Sequence, residues 1–219
     1  LASHFVGINL LFSASNGVGA QAMAADPILA RPIGVEDLTV IRHLETALEE
    51  ETRNTATCRA YAARADEEGF HGIASLFRAV ARAEQIHAAN HARVLRYMSR
   101  PAVVEIPLPR VEGSLENLRT ALADQRFEVD YLYPTFLTAA VPLVDSTAIR
   151  TFHWALEADK SHVRLFWELT PRVGADKAGW AYTPHHFFVC ALCGYAAQNP
   201  ESDNCPSCNY LWEKFEIIQ

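Results

Sequence analysis

Four of the five cysteines crowd into the 19 positions from Cys190 to Cys208. They form two knuckles, Cys190-x-x-Cys193 and Cys205-x-x-Cys208, with eleven residues between them. A C-x-x-C knuckle turns two sulfurs toward one point, and two knuckles complete a tetrahedral S₄ site. The end of the chain is therefore expected to fold around a metal ion and not around a disulfide framework. Thiolates kept free for metal suit a reducing compartment, so a cytoplasmic location is expected. The spacing leaves the ion open between iron, which would carry one electron at a time, and zinc, which would be a structural clip.

The 219 residues leave room for a larger domain ahead of this module. Hydrophobic residues make up 50% of the chain and charged residues 21%, an ordinary core-forming balance. With 26 acids against 19 bases, the net charge of −7 argues against a nucleic-acid surface. No apolar run reaches the ~18 residues that a membrane-spanning helix needs; the nearest is Phe5 to Phe12. Residues 1–25 are small and apolar, with no Lys or Arg before Arg31. They read either as a signal-like segment that lacks a basic start, or as an upstream extension with the protein proper beginning at Met23.

From Val35 to Arg100 the chain is rich in Ala, Leu, Glu and Arg and contains no proline, which predicts two long helices. The break falls at Glu68-Gly69-Phe70-His71-Gly72, and so short a connection makes the two helices antiparallel neighbours. Pro101, Pro107 and Pro109 then predict an extended crossover from Arg100 to Gly113. Ser114 reads as the N-cap of a third helix that runs to about Ala140 and is kinked at Pro134. Pro142 breaks the pattern, and Asp145 or Ser146 caps a fourth helix ending before Pro171. Helices of roughly 25 to 30 residues, about 40 Å long, arranged two, crossover, two, predict an all-α ferritin-like four-helix bundle. The expected organisation is an extension over 1–34, the bundle over 35–170, a linker over 171–184 and a rubredoxin-like metal ribbon over 185–219.

Two segments of the bundle carry an acid and a histidine three residues apart, Glu84-x-x-His87 and Asp159-x-x-His162. That spacing puts both side chains on one helix face. The segments repeat at an offset of 75 positions, since Phe77, Ala83, Glu84 and His87 fall on Phe152, Ala158, Asp159 and His162. One such pair usually lies on a solvated face; two at matching places in the halves of a bundle point to a metal site. Di-iron carboxylate bundles take a Glu from each of two helices and a Glu-x-x-His from each of the other two. Here the first helix offers Glu49, Glu50 and Glu51, and the third offers Glu128 beside Gln125. Hard carboxylates with imidazole suit iron.

On these stretches, from about Val35 to Ile218, the chain resembles the rubrerythrins, in which a ferritin-like di-iron bundle precedes a rubredoxin-like FeS₄ domain. The resemblance rests on Glu51 through Phe70, Glu84 to His87, Glu128 to Pro134, Asp159 to His162 and both knuckles, whose spacer is one residue tighter than in the family. It implies that Glu51 is a terminal carboxylate and Glu84 a bridging one. It further implies that His87 binds the first iron on reduction, that Glu128 binds it when oxidised, and that His162 binds the second iron. Tyr133 matches a tyrosine of the family's third helix. Three positions depart from the family pattern: Gln125 replaces a terminal glutamate of the second iron, Asp159 replaces a bridging glutamate and is one methylene shorter, and Cys58 replaces a tyrosine. These departures weaken the second metal position more than the first.

The resemblance implies a peroxidase that reduces hydrogen peroxide to water, with electrons passed through the FeS₄ site from a reductase or a rubredoxin. It also implies a head-to-tail homodimer. The alternative is an iron-binding or ferroxidase-type bundle with a structural zinc ribbon, which Gln125 and Asp159 favour; a third reading is an interaction protein with a decayed metal site. His91, one turn beyond His87, reads either as a partner supporting the ligands or, the favoured reading, as a partly exposed helix histidine, and His43, His71, His153, His185 and His186 have no ligand spacing. Trp154, Phe166 and Trp167 read as bundle core.

Overall fold

The computed structural model describes residues 35–141, 146–175, 182–199 and 202–219. The extension over 1–34 and the expected cap Asp145 lie outside the described residues. Among the described residues the α-helices, in chain order, are α1 (Val35–Glu67), α2 (His71–Tyr97), α3 (Ser114–Phe127), α4 (Tyr133–Ala140) and α5 (Ser146–Ala175). A π-helical turn, Glu128–Leu132, joins α3 to α4, so that the two form one interrupted column. This is the ferritin-like four-helix arrangement. Among the described residues no helix is long and apolar enough to cross a membrane.

α1 ends where expected. Gly69 takes φ +78° and Phe70 N–H bonds to Ala65 O at 2.7 Å while Gly69 N–H bonds to Asp66 O at 3.0 Å, a double closure that reverses the chain into α2. The start of α3 differs from expectation. Ser114 is already helical, the residue before it is Gly113, and no side chain of α3 caps the helix. The Glu68 carboxylate does this work from the end of α1, accepting the Ser114 N–H at 3.0 Å. An anion there also faces the positive end of the helix dipole.

Two prolines also behave differently from the sequence reading. Pro134 does not kink a continuous helix; it lies in the first turn of α4, after the π turn. It has no N–H, and its ring presses on the carbonyl four residues back, which falls within the π turn. Pro171 does not end the last helix but lies inside α5, which continues to Ala175. Residues 171–175 therefore belong to the helix and not to the linker.

The bundle interior is divided lengthwise. One apolar cluster centres on Tyr61, Phe77, Leu118 and Phe166. The other centres on Leu44, Leu95, Tyr133, Phe136 and Phe152. Between them lies a buried polar layer that contains Glu51, Glu84, His87, Gln125, Glu128, Asp159 and His162, each at most 3% exposed. Phe166 is core as expected, but Trp167 is 62% exposed and Trp154 packs against the cysteine cluster.

After the bundle, β1 (Phe187–Cys190), β2 (Ala196–Ala197) and β3 (Phe215–Ile218) form an antiparallel sheet in the order β2-β1-β3. Phe187, Val189 and Ala196 join the first apolar cluster of the bundle. Arg82 on α2 holds Glu216 on β3 with two bonds of 2.6 and 2.7 Å, and the Asn90 amide donates to Leu192 O at 2.9 Å. The sheet is thus fastened to α2 over several turns.

Candidate metal centres

The two knuckles are built alike. Gly194 N–H bonds to Cys190 O and Asn209 N–H to Cys205 O, both at 2.9 Å, and Gly194 and Asn209 both take positive φ. This turn leaves the Sγ atoms of each knuckle facing the other knuckle. The Cys190–Cys208 and Cys193–Cys205 sulfur pairs are each 3.6 Å apart. A tetrahedron with metal–sulfur bonds of about 2.3 Å has edges of about 3.8 Å, so the four sulfurs fit one ion. A disulfide, at about 2.05 Å, they do not form.

The polar layer of the bundle is the second candidate. One donor atom from each of Glu51, Glu84, His87 and Asp159 lies within 4.8 Å of all the others. Glu84 spans the site, with Oε2 3.0 Å from His87 Nδ1 and Oε1 3.4 Å from His162 Nδ1. Asp159, despite its shorter side chain, also lies between the imidazoles: Oδ1 is 3.5 Å from His87 Nδ1 and 3.4 Å from His162 Nδ1. Glu51 stands on the His87 side, 3.4 Å from Nδ1. Gln125 stands on the His162 side, with its Oε1 2.9 Å from Nδ1.

These residues fit a metal pair on three counts. First, Glu51 Oε2 and both Asp159 oxygens are buried with no hydrogen-bond partner, which is costly for carboxylates unless a cation faces them. Second, both histidines turn Nδ1 inward and place Nε2 on a backbone carbonyl: His87 on Cys193 O at 2.9 Å and His162 on Gly194 O at 3.2 Å. A metal-ligating histidine usually carries such an outer bond, which fixes its tautomer and ring. Third, burial together with neighbouring Glu84 pushes the Glu51 carboxyl well above the ordinary carboxylate range. Burial and then Asp159, Glu51 and Glu84 do the same to Glu128. Glu84, although buried, is held below that range by His162 and His87, and His162, also buried, is pushed up to about 9 by Asp159 and Glu84. Anions crowded in a dry space are what a bound cation relieves.

Glu128 is placed differently from the other acids. Its Oε1 accepts from Asn54 Nδ2 at 2.6 Å and its Oε2 from Gln125 Nε2 at 2.7 Å. Tyr133 donates its hydroxyl to Glu51 Oε1. The π turn brings these two functions to one face, because Tyr133 N–H bonds to Glu128 O, five residues back. In an α-helix, residues five apart point about 140° away from each other.

His91 is not the partly exposed residue expected from sequence. It is fully buried, with Nε2 3.1 Å from the Tyr133 hydroxyl and Nδ1 3.2 Å from Thr151 Oγ1. Burial, with His87 nearby, lowers its pKa to about 3, so it is a neutral hydrogen-bonding link. The Tyr133 proton is committed to Glu51, so His91 carries its proton on Nε2 and accepts from Thr151 on Nδ1. His91→Leu is expected to leave the Thr151 hydroxyl without its acceptor, at a cost of about 1–3 kcal/mol, measured as a lower urea midpoint with unchanged slope.

Cys58 lies in the buried apolar cluster next to this layer, where burial and then the Glu84 and Glu128 charges push its thiol up. Asn54, Thr151 and Gly194 were not singled out by sequence, and His91 stood out only as lying one turn beyond His87. Asn54 follows Glu51 by three and His91 follows His87 by four, so helical spacing from the ligands was the signal available.

Together, a ferritin-like bundle with a candidate di-iron carboxylate site and a rubredoxin-like Cys₄ module define a class of protein. The Rubrerythrin family model matches residues 43–170. Rubrerythrin-2 of Clostridium acetobutylicum is 30% identical over 155 residues, covering 70% of this chain and 83% of the relative. Nigerythrin of Nitratidesulfovibrio vulgaris is 26% identical over 174 residues, covering 78% and 82%. A solved nigerythrin in its fully reduced, all-ferrous state superposes with a TM-score of 0.74 at 26% identity, covering 89% of this chain and 91% of that one. The chain belongs to the rubrerythrin family. A bacterioferritin of Mycobacterium tuberculosis, with a TM-score of 0.58 and 17% identity over 63% of this chain and 87% of that one, shares the bundle fold alone.

Proposed function

We propose that this protein is a non-haem di-iron peroxidase that reduces hydrogen peroxide to water, with electrons relayed through iron in the Cys₄ site. The observation that carries the reading is the contact between the two candidate centres. Both histidines of the polar layer rest, through Nε2, on consecutive carbonyls of one cysteine knuckle, Cys193 and Gly194. A path of one hydrogen bond and a few covalent bonds thus joins sulfur cluster to carboxylate cluster.

Glu51, Glu84, His87, Asp159, His162 and the Gln125 carbonyl would hold the iron pair, and Cys190, Cys193, Cys205 and Cys208 the third iron. When bound, the pair supplies two electrons together, which with two protons convert hydrogen peroxide to two waters. The rest falls to the chain's own residues. The apolar clusters on either side keep bulk water out of the polar layer. His91 and Thr151 orient the Tyr133 hydroxyl so that it donates to Glu51 Oε1. The knuckle carbonyls accept from Nε2–H of His87 and His162, so that it is Nδ1 of each ring that would turn its lone pair to the iron.

The electron donor in this reading is a reductase or a rubredoxin that docks beside Cys208, the one half-buried cysteine of the four. A homodimer belongs to the same reading, although the knuckle contacts are already made within one chain. Four unpaired thiols suit a reducing cytoplasm.

A second reading is an iron-binding, ferroxidase-type bundle with structural zinc in the Cys₄ site. Gln125 favours it, because a neutral amide in place of a carboxylate weakens the His162 side. Metal content and the visible spectrum of protein grown in iron-rich medium separate the two. The peroxidase reading expects two irons in the bundle and one in the Cys₄ site, with thiolate-to-iron bands that bleach on reduction and return on adding peroxide. Zinc in the Cys₄ site and no such bands would overturn the relay and leave the second reading.

A further inference from the structure

We propose that Asn54 and Gln125 form an amide clamp that holds the Glu128 carboxylate out of the metal donor set. The inference rests on the bundle being a metal site, and it adds positioning roles for two residues outside the charged set.

The carboxylates of the polar layer fall into two kinds. Among the described residues Glu51 Oε2 and both oxygens of Asp159 are buried and unpartnered, and Asp159 Oδ1 lies 3.5 and 3.4 Å from Nδ1 of His87 and His162. Glu128 is equally buried, but each of its oxygens takes an N–H from a neutral amide, Asn54 Nδ2 at 2.6 Å and Gln125 Nε2 at 2.7 Å.

The orientation of the Gln125 amide is fixed by what surrounds it. Its nitrogen faces Glu84 Oε1 at 2.8 Å and Glu128 Oε2 at 2.7 Å, and carboxylate oxygens without a proton only accept. The reversed amide would press its carbonyl oxygen against two acceptors. The donation also explains what an amide does at this position that a carboxylate could not. An ionised glutamate at 125 could not donate and would repel Glu128, whereas glutamine ties it down while its carbonyl still faces His162. Asn54 supplies the second donor from α1, one turn after Glu51. Glu128 can reach a metal only by giving up at least one of these bonds.

The test uses the full chain with zinc in its Cys₄ site and a bundle freed of metal. Mn(II), which prefers carboxylate and imidazole to thiolate, is titrated in, and the free ion is read from its EPR signal. Asn54→Ala unties one Glu128 oxygen and is expected to tighten the strongest bundle site at least tenfold. The gain should vanish in Asn54→Ala/Glu128→Gln. Gln125→Met, which keeps the volume but cannot donate, provides a second release of Glu128 and should change the EPR line shape of bound Mn(II) in the same sense. Unchanged or weaker binding by a folded Asn54→Ala, or a gain that survives in the double variant, would overturn the clamp. Failure of the wild-type bundle to bind Mn(II) or Fe(II) would instead overturn the metal-site reading beneath it.

Discussion

Replacing Gly194 with alanine is expected to lift the first cysteine knuckle off the bundle. Gly194 takes φ +79°, a left-handed conformation that costs an L-residue about 1–2 kcal/mol. The added Cβ would also lie 2.4 Å from His87 Nε2, 2.8 Å from His87 Cδ2 and 3.0 Å from Ala83 O. His87 cannot give way, since it is buried with Nδ1 among three carboxylates. The knuckle must therefore move, and with it the bonds from His87, His162 and Asn90 to the carbonyls at 193, 194 and 192. In protein loaded with iron, reoxidation of the reduced Cys₄ site by peroxide should slow by tenfold or more, while the metal content stays the same. A variant with an unchanged rate would show that electrons do not pass through this contact.

The second large effect is expected from Cys193→Ser. The buried cluster of the terminal module is made of Cys190, Cys193, Tyr195, Ala197 and Cys205, and Trp154, Leu192, Trp212 and Phe215 around it are only partly buried. A segment this small usually needs a metal or disulfides to fold, and structural zinc in small modules contributes about 10–16 kcal/mol. The variant should lose one metal per chain and lose amide-exchange protection over β1, β2 and β3. The bundle should keep its helical signal, because its two apolar clusters draw mostly on helical residues. Protection retained over β1 would mean that packing against α2 holds the strand without metal.

Much of this architecture was legible in the sequence because it is written in local chemistry. The Gly69 stop, the proline-bearing crossover and the two acid-x-x-His pairs each carry their own signal within a few residues. What failed to show was long-range. Ser114 has the right chemistry for a cap, but the carboxylate that caps α3 comes from Glu68, 46 positions earlier. Pro171 signals a helix end, yet α5 continues through it to Ala175. His91 lies one turn beyond His87, but its partners Tyr133 and Thr151 come from two other helices, so its burial did not show. The role of Gln125 is a similar case: its residue type announces a missing charge, but only the fold shows the donor it brings to Glu128.

The π turn at Glu128–Leu132 imposes a length rule on the gene. It is the reason that Glu128 and Tyr133, five positions apart, can both point inward. Deleting one residue between them would let an ordinary α-helix close, in which residues four apart point only about 40° away from each other, so the acid and the phenol would keep a common face without the π turn. A five-residue interval therefore needs the π turn and a four-residue interval a plain α-helix, and a change of length without that change of turn swings the phenol away from the acid. The fixed interval, a glutamate followed after four residues by Tyr-Pro, is a searchable mark of chains whose third helix carries both the acid and the phenol.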